Sequence, residues 1–260
     1  MSETSIGWAG LAASLVLVAI AVAVSGWQRL RLSRSILWAC ARAAAQLALV
    51  GVALRLVLDP GAPVAWAFVW VAVMVVFSGA TIRNRAREVP GIFGLGTAAM
   101  LTVVVVSLAV ILGFGMFPVE GRTIVPLAGM MIGNSMTASV LVGRRIVGEL
   151  SDKRLEVEAR LALGQPWPEA ARPYVRSALR TALVPQVEST KAVGLVFLPG
   201  AMTGLVLAGT NAADAVTIQL AIMYLILGSV ATSITVVGLG LTRRLFTADH
   251  RLRVLARPVR

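Results

Sequence analysis

The residues able to hold or polarise a solute sit inside apolar runs. One run carries Gly129-Met130-Met131-Ile132-Gly133-Asn134-Ser135-Met136-Thr137. Asn134, Ser135 and Thr137 place an amide and two hydroxyls there, and interhelical hydrogen bonds of this kind contribute about 0.6–2 kcal/mol. They either glue helices together or line a path where carbonyl, hydroxyl and thioether groups meet a solute. Met130, Met131, Met136 and Met202 are soft enough to ligate Cu(I) and equally shaped to fill gaps in an apolar helix. Gly129 and Gly133 form a small-residue pair that lets a second helix approach. Arg42 and Gln46 lie four apart and share a helix face. They point to hydrogen bonding between helices or to a translocation path, with the Arg42 stem able to snorkel from a span end. Pro199-Gly200-Ala201-Met202-Thr203 interrupts another apolar run. A Pro-Gly there should break or kink the helix and free backbone carbonyls, which a membrane tolerates only beside protein or a wet cavity. Pro199, Gly200, Met202 and Thr203 thus join the candidate path or gate residues, the alternative being a kink compensated by packing.

Enzymatic constellations are missing from the sequence. With one Cys (Cys40) and one His (His250) there is no His/Cys metal site and no Cys/His or Ser/His/Asp triad. No Gly-x-x-x-x-Gly-Lys-Ser/Thr occurs, and the only lysines are Lys153 and Lys191. The chain therefore has no P-loop of its own to hold ATP phosphates.

The elements that must position these residues follow from composition. Of 260 residues, 58% are hydrophobic and 14% charged, which excludes an ordinary soluble domain and implies a polytopic all-α membrane bundle. The net charge of +12 sits between apolar blocks, the pattern of charge flanking membrane spans and not of a nucleic-acid-binding face. Apolar runs cover about 8–24, 36–58, 64–82, 95–116, 124–147, 192–208 and 215–241. Each approaches the roughly 20 residues that a bilayer needs, giving seven expected spans. Met1–Gly7 carries Glu3 and no basic residue, so the first run reads as a retained span and not a cleaved signal. Asp59 to Pro63 reads as a turn. The clusters Arg29/Arg31/Arg34 and Arg83/Arg85/Arg87, the polar segment after the fifth span, and the tail fall on one side. The positive-inside rule makes that side cytoplasmic, with the N-terminus outside and the C-terminus inside. One transmembrane domain is expected over 1–260, with a basic cytoplasmic tail at 243–260.

Between spans five and six, at about 148–190, lies a two-faced cytoplasmic segment. Ile146, Leu150, Val157 and Leu161 fall near one helical face, opposite Glu149, Asp152, Lys153, Glu156 and Arg160. Beyond a break at Gly164–Pro168, Ala171, Tyr174, Val175, Ala178, Leu179 and Ala182 alternate with Arg172, Arg176 and Arg180. Gly164 can end a helix in the left-handed conformation, and Pro168 suits the first turn of the next. Such a segment invites a docking partner.

Glu158-Ala159 with Gly164 resembles the coupling loop of ABC-transporter permeases, which sits in a groove of the ATPase. Together with Arg42-x-x-x-Gln46-Leu47, the Gly129–Met136 motif and Ser189-Thr190-Lys191-x-x-Gly194 through Gly204, it resembles the FetB-type family of ABC permeases. The likeness runs from about the second span to Phe246. Where the family pattern has Met-Met after Pro-Gly and an acidic residue with Pro after Ala-Gly, this chain has Ala201, Asn211 and Ala212. The resemblance implies the membrane subunit of an iron exporter, with plant relatives linked to aluminium tolerance. It further implies a homodimer in the bacterial inner membrane and a separate ABC ATPase that brings ATP and Mg, this chain binding no cofactor. Glu158, Ala159 and Gly164 would shape the docking surface. A secondary transporter usually needs a membrane-embedded Asp or Glu, whereas Asp59, Glu120 and Asp214 read as loop or span-end residues. A non-catalytic membrane scaffold is the other alternative.

Overall fold

The structure, a computed structural model, describes residues 8–57 and 63–253. The chain divides into two compact units, one through Ala62 and one from Pro63. The regular structure of the described residues is helical, apart from two isolated bridge pairs, Val193–Phe197 and Phe246–Leu252. The expected Met1–Gly7 lead, the turn from Asp59 to Ala62 and the tail beyond Arg253 lie outside the described residues.

The first unit is a helical hairpin of α1 (Trp8–Trp27) and α2 (Ser33–Val57). Its connection turns on Ser25, which is buried. The Ser25 hydroxyl accepts from the Leu32 amide at 3.1 Å, and the Ser33 hydroxyl reaches it at 3.4 Å. Arg29 and Arg31 take left-handed φ values of 52° and 57° to close the turn. Side chains such as Leu17, Trp38, Leu47 and Leu49 remain exposed. So much uncovered apolar surface suits hydrocarbon or a helical neighbour, not water.

The second unit is a bundle built on α5 (Gly121–Asp152) and α9 (Ala212–Leu245), against which α3 (Ala65–Arg85) and α4 (Ile92–Gly113) pack. Its interior is Ile82, Met100, Val103, Met131, Val142, Ile146, Val237 and Leu241, all at most 1% exposed. Burial of each such side chain contributes about 1.5–3 kcal/mol relative to exposure in water, and less where the alternative is lipid. In lipid, close packing carries the fold, and small residues permit it. A Cβ on Gly79 would collide with the Thr97 side chain, and one on Gly238 would come 2.9 Å from Leu179. Of the pair expected to admit a neighbour, Gly129 is met by Met74 at 3.1 Å, but Gly133 stands open with nothing within 4 Å. Gly133 lies on the exposed side of α5, so only half of that motif serves packing within the protomer.

Five described stretches are long and apolar enough to cross a membrane: Ser33–Val52, Ala65–Arg85, Ile92–Gly113, Gly121–Asp152 and Ala212–Leu245. Ala12–Trp27 is apolar but shorter. The expected sixth span over 192–208 is not a continuous helix. Helix α7 (Trp167–Ala192) ends there, Val193–Pro199 is irregular, and α8 (Gly200–Leu207) has only 8 residues. At about 1.5 Å per residue, α8 rises ~12 Å, well short of the ~30 Å hydrocarbon core. Likewise, the expected tail does not begin at Arg243. Arg243 and Arg244 belong to the last turn of α9, Phe246 and Leu252 are buried, and the Arg244 guanidinium donates to the Gly91 carbonyl at 3.0 Å.

Candidate functional site

Helix α5 does not stop at the end of its apolar run. It continues to Asp152, where the chain turns at Lys153 into α6 (Arg154–Ala162) and then, through Gly164–Pro166, into α7. The expected break is where Gly and Pro place it. Gly164 has φ +86°, and Pro168 lies in the first turn of α7. Nothing lies within 4 Å of a Cβ built on Gly164, so its requirement for glycine is conformational and not steric.

Val157 is fully buried and holds α6 by its inner face, as fully buried Leu150 and Ile146 do for the end of α5. The expected inner face is thus largely correct, with Leu161 half-buried at its edge. A polar clamp completes the elbow. The Tyr174 hydroxyl donates to Glu156 Oε2 at 3.0 Å, and Lys153 Nζ donates to Glu156 Oε1 at 2.8 Å. The lysine hydrogen bond, then the tyrosine one, hold the Glu156 carboxyl below its ordinary range. Burial, reinforced by the bond to Glu156, raises the Tyr174 hydroxyl above its own. Glu158 pairs with Arg154 at 2.6 Å. That pair is half-exposed and adds little stability, but it fixes where the carboxylate stands.

The outer face of α6 carries the signal that periodicity missed. Leu155 and Leu163 are 81% and 84% exposed, and Ala159 and Ala162 between them are exposed too. Spaced i, i+4, i+7, i+8, they form one stripe on the side away from Val157. The stripe is flanked by Glu158 and Gly164 and leaves apolar surface uncovered on the chain's polar elbow.

The second candidate region is the interruption before α8. Leu195 and Val196 are 94% and 79% exposed in the irregular stretch. Pro199 caps α8 with extended backbone and supplies no side-chain acceptor. Buried Gln219 of α9 does so instead, its Oε1 accepting from the Met202 amide at 3.2 Å. The Thr203 hydroxyl donates back to the Pro199 carbonyl at 3.2 Å. Beside α8, Pro126 and Met130 of α5, Ala201 and Gly204 of α8, and Ile218 and Ile222 of α9 line a hollow of about 350 Å³. Met202 and Thr203 do not line it.

The polar residues of α5 part company. Asn134 and Thr137 are exposed, and the Asn134 amide donates to the Met130 carbonyl at 2.8 Å. Ser135 is completely buried on the opposite side, its carbonyl accepting from the Ser233 hydroxyl at 3.4 Å. Buried serines recur along the α4, α5 and α9 seams, including a Ser107–Ser229 hydrogen bond at 2.9 Å. Sequence reasoning passed over these. The available signal was Ser229 and Ser233, four apart on an apolar helix. Arg42 and Gln46 lie exposed on α2 of the first unit, and neither makes a side-chain hydrogen bond among the described residues. Among those residues no three or more His, Cys, Asp or Glu gather as a metal-binding group.

Helices of this length and hydropathy, an amphipathic elbow and a broken apolar segment define a polytopic integral membrane protein. The chain belongs to the family described as uncharacterised protein family UPF0014, whose model matches residues 8–246. Its relatives include the UPF0014 membrane protein STAR2 of rice, 35% identical over 231 residues that make up 89% of this chain and 81% of the relative. The probable iron export permease protein FetB of Escherichia coli is 30% identical over 260 residues, 98% of each chain. The protein ALUMINUM SENSITIVE 3 of Arabidopsis thaliana is 31% identical over 222 residues, 85% of this chain and 81% of the relative. No solved structure matches the chain.

Proposed function

We propose that this chain is the membrane-spanning permease subunit of an ABC transporter of the bacterial inner membrane, exporting a small solute such as iron or another metal ion. A separate ATPase supplies the P-loop, ATP and Mg. The observation that carries the reading is the elbow: a helix packed by Val157 on one side and offering Leu155, Ala159, Ala162 and Leu163 to a partner on the other. The relative named as an iron export permease supports the cargo class. In this account Glu158 and Gly164 set the shape of the docking surface. Closure of two ATPase subunits pulls on α6, which is joined without a loop of any length to α5 on one side and by Gly164–Pro166 to α7 on the other. The pull reaches the interruption at Val193–Pro199, where the chain has no regular backbone to resist it.

The path runs between two copies of the chain along the exposed face of α5, with Asn134 and Thr137, and past Pro199, Gly200, Met202 and Thr203. Exposed Asn134 and Thr137 on an apolar helix favour water or protein over lipid as their neighbour. Ser135 contributes from behind, by holding α5 to α9. An ion-gradient carrier is the second reading. The described helices that could span a membrane carry acidic residues only near their ends, at Glu149, Asp152 and Asp214, which favours the ATP-driven one. Reconstitution separates them. Proteoliposomes holding this chain with its cognate ATPase should move Fe2+ only with ATP. Transport by the chain alone under a proton or sodium gradient would overturn the proposal, and stimulated ATP turnover without any transport would leave a scaffold.

A further inference from the structure

Helices α7 and α9 converge at the end of the bundle that carries the elbow. Each turns the same kind of stripe toward the other. On α7 it is Arg172, Val175, Arg176 and Leu179, and on α9 it is Leu239, Thr242, Arg243 and Phe246, both spaced i, i+3, i+4, i+7. Between them lies a groove of about 1030 Å³. Its apolar lining comes from buried Val175, half-buried Leu179 and exposed Leu239. Its mouth carries three guanidinium groups and the Trp167–Phe246 pair, stacked with ring centroids 5.5 Å apart. No acidic residue lines it, and Arg172, Arg176 and Arg243 make no ion pair or hydrogen bond with any described side chain. Fifteen N–H donors, five on each guanidinium, thus belong to groove-lining residues that have no acceptor among the described side chains. The Thr242 hydroxyl is not among the free donors, since it bonds the Gly238 carbonyl at 2.6 Å.

We propose that this groove is a binding site for an anionic phospholipid, its phosphate held by Arg172, Arg176 and Arg243 and the start of its acyl chains lying against Val175, Leu179 and Leu239. The groove spans the level at which the apolar run of α9 gives way to Arg243 and Arg244, where hydrocarbon gives way to headgroups. A ligand must therefore be apolar at one end and anionic at the other. Basic pockets between membrane helices on the cytoplasmic side bind such lipids, and a tryptophan at the rim suits the interface. An acidic protein segment would satisfy the arginines but not the apolar wall below them. The site touches α7 directly behind the elbow, so its occupancy stiffens the element that the transport reading asks to move. The binding itself rests only on membrane placement and not on that reading.

The test uses the purified full chain in mixed micelles, without ATPase or nucleotide. Brominated phosphatidylglycerol is titrated and fluorescence quenching recorded, the share of Trp167 being taken from the difference against Trp167→Phe. Saturable quenching of Trp167 is expected with phosphatidylglycerol, at least tenfold weaker with brominated phosphatidylcholine. Arg172→Gln/Arg176→Gln/Arg243→Gln should lose at least tenfold in apparent affinity, and the triple Lys variant should keep most of it. Arg83→Gln/Arg85→Gln/Arg87→Gln, an equal loss of charge elsewhere, should match wild type. The single Arg243→Gln carries the test should the triple variant fail to purify as a monodisperse helical protein. Equal quenching by the two lipids, wild-type affinity in the Gln variants, or displacement of the lipid by millimolar inorganic phosphate would overturn the proposal. The first outcome would mean that Trp167 meets lipid without selecting its headgroup, and the last would point to a site for free anions.

Discussion

Glu156 shows how one side chain links sequence to a working surface. It receives Lys153 from one side and Tyr174 from the other, which ties the start of α6 to α7. Its carboxyl is held below the ordinary range, so the clamp's contribution is complete above about pH 4.3. It is lost as pH falls through the depressed value, because protonation then costs the folded elbow its ion pair. Tyr174→Phe removes the second largest of the causes. It should move the Glu156 carboxyl titration, followed by carbon NMR, upward toward the free value without unfolding the bundle. An unchanged titration would mean the hydroxyl does not reach the carboxylate. Gly164 makes a different point. At φ +86° with open space around it, substitution by Ala should cost about 1–2 kcal/mol from the left-handed backbone alone. The loss should appear as faster amide exchange confined to α6 and the start of α7. This residue's role was legible in advance, since Gly followed by Pro is a local backbone signal. That Tyr174 meets Glu156 was not, because the two lie 18 residues apart across the turn.

At the scale of elements, the broken apolar segment and the elbow decide the account. The sequence marks Pro199-Gly200 as an interruption but not its extent. Val193-Gly194-Leu195-Val196-Phe197-Leu198 is as apolar as any helix here, and hydropathy cannot tell an apolar loop from an apolar helix. What holds α8 in place is Gln219, whose side chain reaches back to the Met202 amide. Gln219→Leu leaves that N–H without its buried acceptor, a cost of about 1–3 kcal/mol. It should free α8 and raise the maleimide labelling rate of a Thr203→Cys reporter in a Cys40→Ala background. Periodicity placed Val157 on the inner face of α6 but did not single out Leu155 and Leu163, and only packing shows that these two face out. The two faces therefore separate by mutation. Val157→Asp should destabilise the bundle by about 3 kcal/mol, seen as a lowered Tm. Leu155→Glu/Leu163→Glu should leave Tm unchanged and abolish co-purification with the ATPase. If the outward pair lowered Tm as much as the inward one, α6 would be a packing element and not a docking one.

Over the whole molecule, composition is enough to announce an all-helical membrane protein, because so few charges cannot cover a water-soluble surface of this size. It does not count spans reliably here. What reads as one span over 192–208 is the last residue of α7, an irregular apolar stretch and α8, the shortest described helix. Nor does it foresee that Phe246 and Leu252 fold the start of the tail onto the bundle, since two isolated apolar residues in a basic stretch carry no period. The central claim is that an ATPase on the cytoplasmic side grips α6 and drives the path through it. Ala159→Cys in a Cys40→Ala background tests this most directly, by crosslinking in inverted membrane vesicles that hold the cognate ATPase. The account predicts a crosslink to the ATPase that forms without lysis, weakens when ATP is added, and disappears with Leu155→Glu/Leu163→Glu. Labelling of Ala159→Cys from the outside of intact cells by a membrane-impermeant maleimide would contradict it.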